Sequence, residues 1–175
     1  MISKKVTEMK FNKEKFIAVL SYIVSRCENK SNVGKTVICK LLYFSDFNFY
    51  ELYEKAITNE TYIKFERGPF PDHFKSITDE MINKGDLIIS KQPYHGDTTI
   101  HKYYLSKTPD LSLISTKELS VINDVIDKHA DKSAAEFSDY SHGDMPWAIA
   151  DDNDILDYEY VFYRDPEYSV RAYDD

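Results

Sequence analysis

Ser141-His142-Gly143-Asp144 places a nucleophile, a base and a carboxylate within four positions. Those residue types serve acyl or phosphoryl hydrolysis when the base can reach the nucleophile and the acid orients the base. Neighbours on a helix or turn point in different directions, so this string makes no relay by itself. The structural alternative is that Ser141, His142 and Asp144 end one helix and start the next turn, satisfying backbone groups. Trp147, the single tryptophan, then anchors that turn by burying its ring. The structural reading is preferred.

Asn32-Val33-Gly34-Lys35-Thr36 carries the Gly-Lys-Thr tail of a phosphate loop. The first glycine of that motif would fall at position 29, which is Asn29, and the residues before it read as helix rather than strand. Nucleotide binding is therefore not expected. His73, His95, His101, His129 and His142 show no tight metal spacing. His95 and His101 flank Asp97 on two arms of a hairpin, but a cysteine partner at useful spacing is absent, and no metal or cofactor is expected.

The elements that must position these residues belong to a chain of 175 residues, 42% hydrophobic and 30% charged, the size of one domain with one core. A single domain over 1–175 is expected, with a packed core over about 12–163 and a short acidic tail. Five glycines and six prolines argue against a many-turned all-β chain. No apolar run is long enough for a membrane span, and Met1-Ile2-Ser3-Lys4-Lys5 leads into polar sequence without the core of a secretory signal. Cys27 and Cys39 sit in helical patterns beside apolar residues, as reduced thiols of a cytoplasmic protein do. The net charge of -8 is uneven: +6 over residues 1–40, -4 over 41–133 and -10 over 134–175. An acidic chain lacks the electrostatic footprint of a nucleic-acid binder. Its acidic end suits a basic protein partner, though such polarity also serves solubility alone.

Asn12 caps an expected helix running to about Glu28, with Phe16, Val19, Leu20, Ile23 and Cys27 on one face. A second helix is expected over about 35–53. Its two adjacent apolar stripes, Val37-Leu41-Phe44 and Ile38-Leu42-Ser45-Phe49, mark a central helix. Tyr62–Arg67 alternates as a strand with Ile63 and Phe65 inward, ended by Gly68-Pro69-Phe70-Pro71. Pro71 suits the first turn of a helix reaching Lys84, with Phe74, Ile77, Met81 and Ile82 inward and Gly85 as its stop. Leu87–Ser90 and Ile100–Leu105 form a hairpin across Gly96-Asp97, giving a winged-helix-like unit. Ser115/Glu118 and Ser133/Glu136 are capping-box pairs that open two further helices. The Ile155–Tyr163 segment leans to helix, capped by Asp157. The expected fold is α+β: a mainly helical single domain with a small antiparallel sheet made of one strand plus the hairpin.

Three stretches in this order form a distinctive set. They are Lys40-Leu41-Leu42-Tyr43-Phe44-Ser45-Asp46-Phe47; Ile57-Thr58, Tyr62 and Gly68-Pro69-Phe70-Pro71; and Ser133–Ser138 running into Ser141-His142-Gly143-Asp144-Met145-Pro146-Trp147. Over about Phe16 to Phe162 the chain resembles the SocA-like antitoxin (Panacea) domain, a group that includes phage-associated GepA-like proteins. The matching motif positions are Lys40, Leu41, Tyr43, Asp46, Tyr62, Gly68, Pro69, Pro71, Ser141, His142, Pro146 and Trp147. Ala56 departs from the usual glycine before the Ile-Thr pair, and Phe137 and Tyr140 replace leucine. The resemblance implies an antitoxin of a bacterial or phage toxin–antitoxin system that neutralises a cognate toxin protein, encoded next to it, by direct contact. It implies no enzyme activity and no cofactor.

An acidic, Tyr-rich domain fits a binding module, because tyrosine brings area and a hydrogen bond at low entropy cost. The expected partner surface lies in the acidic 158–173 stretch, at Tyr160, Tyr163, Arg164 and Tyr168. The alternative face is the basic first helix with Lys10, Lys13 and Lys15. Two other functions stand beside this one. One is a DNA-binding regulator of its own operon, for which helix 71–84 offers Lys75, Asn83 and Lys84 but also Asp72, Asp79 and Glu80. The other is a hydrolase using His142. Delivery of a bound toxin to a protease is a variant of the antitoxin reading.

Overall fold

The structure, a computed structural model, describes residues 10–172. The Met1–Lys5 segment and Tyr173, weighed above, lie outside the described residues. Helix α1 (Lys13–Cys27) starts where the Asn12 side chain accepts the Lys15 N–H at 3.0 Å. That bond satisfies one of the amides a helix start leaves open. Its expected face, Phe16, Val19, Leu20, Ile23 and Cys27, is buried throughout. Each such apolar side chain contributes roughly 1.5–3 kcal/mol on leaving water. Helix α2 (Lys35–Tyr53) is the central helix, buried at every position from Val37 to Glu51. It ends where Glu54 adopts a left-handed conformation and returns its N–H to the Tyr50 carbonyl.

The next segment differs from expectation. Strand β1 (Tyr62–Phe65) pairs antiparallel with a second strand, β2 (Gly68–Pro71), so Gly68-Pro69-Phe70-Pro71 continues the sheet instead of ending it. Two prolines are tolerated because Pro69 and Pro71 stand opposite Lys64 and Tyr62, whose backbone groups bond away from β2. The Lys64 N–H goes to the Asp154 carbonyl at 2.9 Å, and the Tyr62 carbonyl accepts the Leu156 N–H at 2.8 Å. The inward face is also reversed: Tyr62 is fully buried, whereas Phe65 is exposed and Ile63 half-buried. Pro71 is therefore a strand residue, and helix α3 (Phe74–Asn83) begins three positions later. Phe74, Ile77 and Met81 face inward as expected; Ile82 is exposed. Gly85, at φ +78, lets the Gly85 and Asp86 amides turn back to the Ile82 and Met81 carbonyls, which stops the helix.

Strands β3 (Leu87–Pro93) and β4 (Thr99–Leu105) form the expected hairpin, so the architecture holds two separate two-stranded antiparallel sheets. Lys102 on β4 is buried, and its ammonium donates to the Lys30 carbonyl at 2.6 Å and the Val33 carbonyl at 2.9 Å. These carbonyls follow the end of α1, so the lysine ties the hairpin to the α1–α2 turn. Both capping boxes form, at Ser115/Glu118 for helix α4 (Thr116–His129) and Ser133/Glu136 for helix α5 (Ala134–His142). A short helix α6 (Met145–Ala148) and a 3-10 helix (Tyr158–Tyr163) capped by Asp157 follow. Helix α2 packs against α1, β2, β4, α4, α5 and the 3-10 helix, which explains its burial on all sides. The result is a mainly helical α+β domain. Arg164 and Tyr168 are buried, so the packed body runs past residue 163. Among the described residues no helix is long and apolar enough to cross a membrane.

Candidate functional site

The motif residues scattered through the sequence converge on one side of α2. Gly68 lies so near Lys40 and Ser141 that a β-carbon on it would meet Ser141 Oγ at 2.6 Å and Lys40 Cε at 2.8 Å. Its φ of +127 suits glycine alone. Lys40 is buried, and burial, with the Arg67 charge adding to it, lowers its pKa to about 8. Leu41, Pro69, Pro71 and Pro146 are buried packing residues around this junction.

One helical turn further along α2, Tyr43 donates to Asp144 Oδ2 at 2.8 Å. The same carboxylate takes Arg164 Nε and Nη2, both at 2.8 Å. Arg164 Nη1 also bonds Asn48 Oδ1 at 2.8 Å and Glu51 Oε1 at 3.0 Å. The guanidinium and both carboxylates are fully buried. Despite its own burial, the paired carboxylates hold the Arg164 pKa above its ordinary value. Beside this network Asp46 accepts from the Thr58 N–H at 2.8 Å, Thr58 Oγ1 at 2.6 Å and Tyr62 Oη at 2.7 Å. Burial outweighs those donors and raises the Asp46 carboxyl to about 6.

Ser141, His142 and Asp144 do not form a relay. Ser141 Oγ donates to the Ser138 carbonyl at 2.8 Å, and the Asp144 carboxylate is taken by Tyr43 and Arg164. His142 stacks on Trp147, with ring centroids 4.2 Å apart and planes within 12°. Trp147 Nε1 donates to the Phe65 carbonyl at 3.2 Å, fixing the turn against β1, and Lys64 Nζ lies 4.1 Å over its ring. Of the expected backbone contacts at this corner, Ser141 meets a carbonyl at the end of α5, whereas the Asp144 side chain caps no helix and is held by Tyr43 and Arg164. Among the described residues no three His, Cys, Asp or Glu side chains stand together as a metal-holding group. Cys27 and Cys39 are buried free thiols, and burial pushes Cys39 up to about 12.

The expected partner surface is half corrected. Tyr163 is exposed and Tyr160 half-buried, but Arg164 and Tyr168 are buried and unavailable as free surface. Tyr168 donates its hydroxyl to the Tyr140 carbonyl at 2.9 Å. Of the basic first helix, Lys13 pairs with Glu80 and Lys15 with Glu118. Lys75 on α3 pairs with Asp79, and Lys84 just past its end pairs with Glu80, which leaves a poor phosphate-facing surface. Sequence reasoning missed Arg164 as an organising residue, since its partners lie 20 to 116 positions away. It also missed the exposed Ile149 and Ile155. Ile155 bridges to Ile63 across the open edge of β1.

Comparison with curated proteins and with solved structures gives no match. A family model described as antitoxin SocA-like, Panacea domain, matches residues 38–148, a shorter span than the resemblance traced over Phe16–Phe162. The matched span runs from the first turn of α2 to the last residue of α6 and contains Lys40, Asp46, Gly68, Ser141 and Asp144. It covers more than half of the chain, and the protein belongs to the SocA-like antitoxin family of Panacea-domain proteins.

Proposed function

We infer that this protein is an antitoxin-like binding module of the cytoplasm, without catalytic activity of its own, which neutralises one cognate toxin by direct contact. The family match carries this reading. The engagement of the motif side chains with one another supports it, because Tyr43, Asp46, Ser141 and Asp144 are spent on holding the fold. Apolar groups stand exposed on β1 and on the segments after α6: Tyr163 at 69%, Ile155 at 68%, Ile149 at 53% and Phe65 at 41%. Protruding apolar and aromatic groups ringed by charge are what a protein partner buries. Tyr160 adds area next to Tyr163, their rings 6.0 Å apart. The -10 charge of residues 134–175 favours a basic partner. Neutralisation proceeds by occlusion, for which an interface of about 1,600 Å² in total suffices.

Co-expression with the product of the adjacent gene tests this. The expected result is a co-purifying complex and rescued growth, with both weakened by Ile155→Asp or Tyr163→Asp. Absence of both complex and rescue removes the proposal. Toxin abundance separates occlusion from delivery to a protease: it stays constant under occlusion and falls under delivery.

A further inference from the structure

A cavity of about 310 Å³ lies between the first turns of α2 and the β1–β2 hairpin. Lys35, Thr36, Cys39 and Lys40 line it from the helix, and Phe65 to Phe70 line it from the hairpin. Its charged groups are Lys35, Lys40 and Arg67 against one acid, Glu66. Such a cationic concentration is unusual in a chain with a net charge of -8.

Lys40 is the informative residue. The residue is 3% exposed as a whole, yet its ammonium is not sealed off: among the described residues the fully buried side-chain polar atom without a hydrogen-bond partner is His142 Nε2, and Lys40 lines the cavity. A largely desolvated ammonium whose remaining access is through the cavity is stabilised by an anion brought to it there. Gly68 makes the position possible: a β-carbon there would stand 3.1 Å from Lys40 Nζ. The Thr36 side chain lines the same cavity. Arg67, on the exposed hairpin turn, supplies a planar fork suited to an oxyanion. Phe65 and Phe70, ring centroids 5.5 Å apart, give the cavity an aromatic wall.

We propose that this cavity binds a small phosphomonoester, its phosphate held by Lys40, Lys35 and Arg67 and its body laid against Phe65 and Phe70. Three cationic side chains match a phosphate dianion better than a carboxylate, which two donors satisfy. The volume fits a small ligand and no more. This is not the phosphate loop that Gly34-Lys35-Thr36 suggested, because no strand leads into α2 and the anion lies against the side of its first turns. Burial pushes the Cys39 thiol in the wall up to about 12, which keeps it in its protonated form at neutral pH. The proposal stands independently of the toxin partner.

The test uses phenyl phosphate, inorganic phosphate and benzoate as probes, read by amide NMR shifts of the full chain. Phenyl phosphate is expected to move the amides of residues 35–40 and 66–70 saturably, binding at least about tenfold tighter than inorganic phosphate or benzoate. Lys40→Met and Arg67→Gln are each expected to weaken it about tenfold or more. Arg67 lies on an exposed turn, so its variant tests the site even if the core change at Lys40 perturbs folding. Shifts that are absent or scattered over surface lysines, benzoate binding equally well, or Arg67→Gln binding like the parent would each overturn the assignment.

Discussion

The phenol of Tyr168 lies directly over Gly143: a β-carbon on Gly143 would meet the Tyr168 hydroxyl oxygen at 2.0 Å and its ring carbon Cζ at 2.8 Å. The Gly143 backbone itself is right-handed, at φ -86, and tolerates any residue. Glycine is required there for room, not for conformation. The contact shuts the segment after the 3-10 helix onto the end of α5.

Gly143→Ala therefore forces Tyr168 out of its seat, costing about 1–3 kcal/mol as overpacking does. Denaturant unfolding measures the loss, and limited proteolysis shows earlier cleavage beyond residue 164. Tyr168→Ala in the same chain makes the alanine at 143 nearly neutral, because the clashing ring is gone. Independent, additive losses from the two changes would show that the contact is not what selects glycine.

Arg164→Met leaves the buried Asp144 and Glu51 carboxylates without their shared guanidinium. Removing one partner of a buried ion pair costs about 3–5 kcal/mol. Adding Asp144→Asn is expected to recover part of this loss, and the coupling in the double-mutant cycle reads the pair directly. Arg164 lies outside residues 38–148 yet completes the partner set of Asp144 within them.

Gly68→Ala combines two penalties: a φ of +127 and contact at 2.6 Å with Ser141 Oγ. A loss of about 1–3 kcal/mol is expected from the backbone alone. Ser141→Ala removes that contact but leaves Lys40 Cε at 2.8 Å from the added β-carbon as well as the φ, so the double variant recovers only part of the stability. Complete recovery would mean that the left-handed backbone there carries no strain.

Local signals in the sequence reported faithfully wherever the physics was local. The Ser115/Glu118 and Ser133/Glu136 boxes, the Asn12 cap and the α1 face all involve residues within one or two helical turns, and each formed as read. The failures share a cause. Alternation put Ile63 and Phe65 inward and so left Tyr62 on the other side, but Asp46 supplies the Tyr62 hydroxyl's partner from another element and the strand faces the opposite way. Pro69 and Pro71 read as strand breakers because only the register with Lys64 and Tyr62 shows that their missing N–H groups face away from the ladder. Arg164 read as surface because no sequence pattern reports a carboxylate arriving from a distant helix. The cluster at Lys40, Gly68 and Ser141 was legible only as three motif fragments; that they touch is a property of the packed chain.

Among the buried groups, His129 and Asp46 push the pH dependence of stability in opposite directions. Burial, aided by the Lys132 and Lys128 charges, lowers the His129 imidazole from 6.5 to about 3. Between those values the unfolded chain binds a proton that the folded chain refuses, so stability from His129 is lost as pH falls through that window. Asp46 acts the other way, its carboxyl raised by burial from 3.8 to about 6. There the folded chain keeps a proton that the unfolded chain releases, so stability from Asp46 is lost as pH rises from 3.8 to about 6. Each group contributes a slope of at most about 1.4 kcal/mol per pH unit, and over their shared window they largely cancel. His129→Phe breaks the balance. The ring fits a site already walled by Phe44, Phe137 and Tyr140, with centroids 5.3, 5.0 and 4.8 Å from the imidazole. Relative to the parent, the variant gains stability as pH falls from 6.5 towards 3, which urea unfolding at about pH 7 and about pH 4 resolves. Parallel pH profiles for the two proteins would show that His129 is not held neutral in the fold.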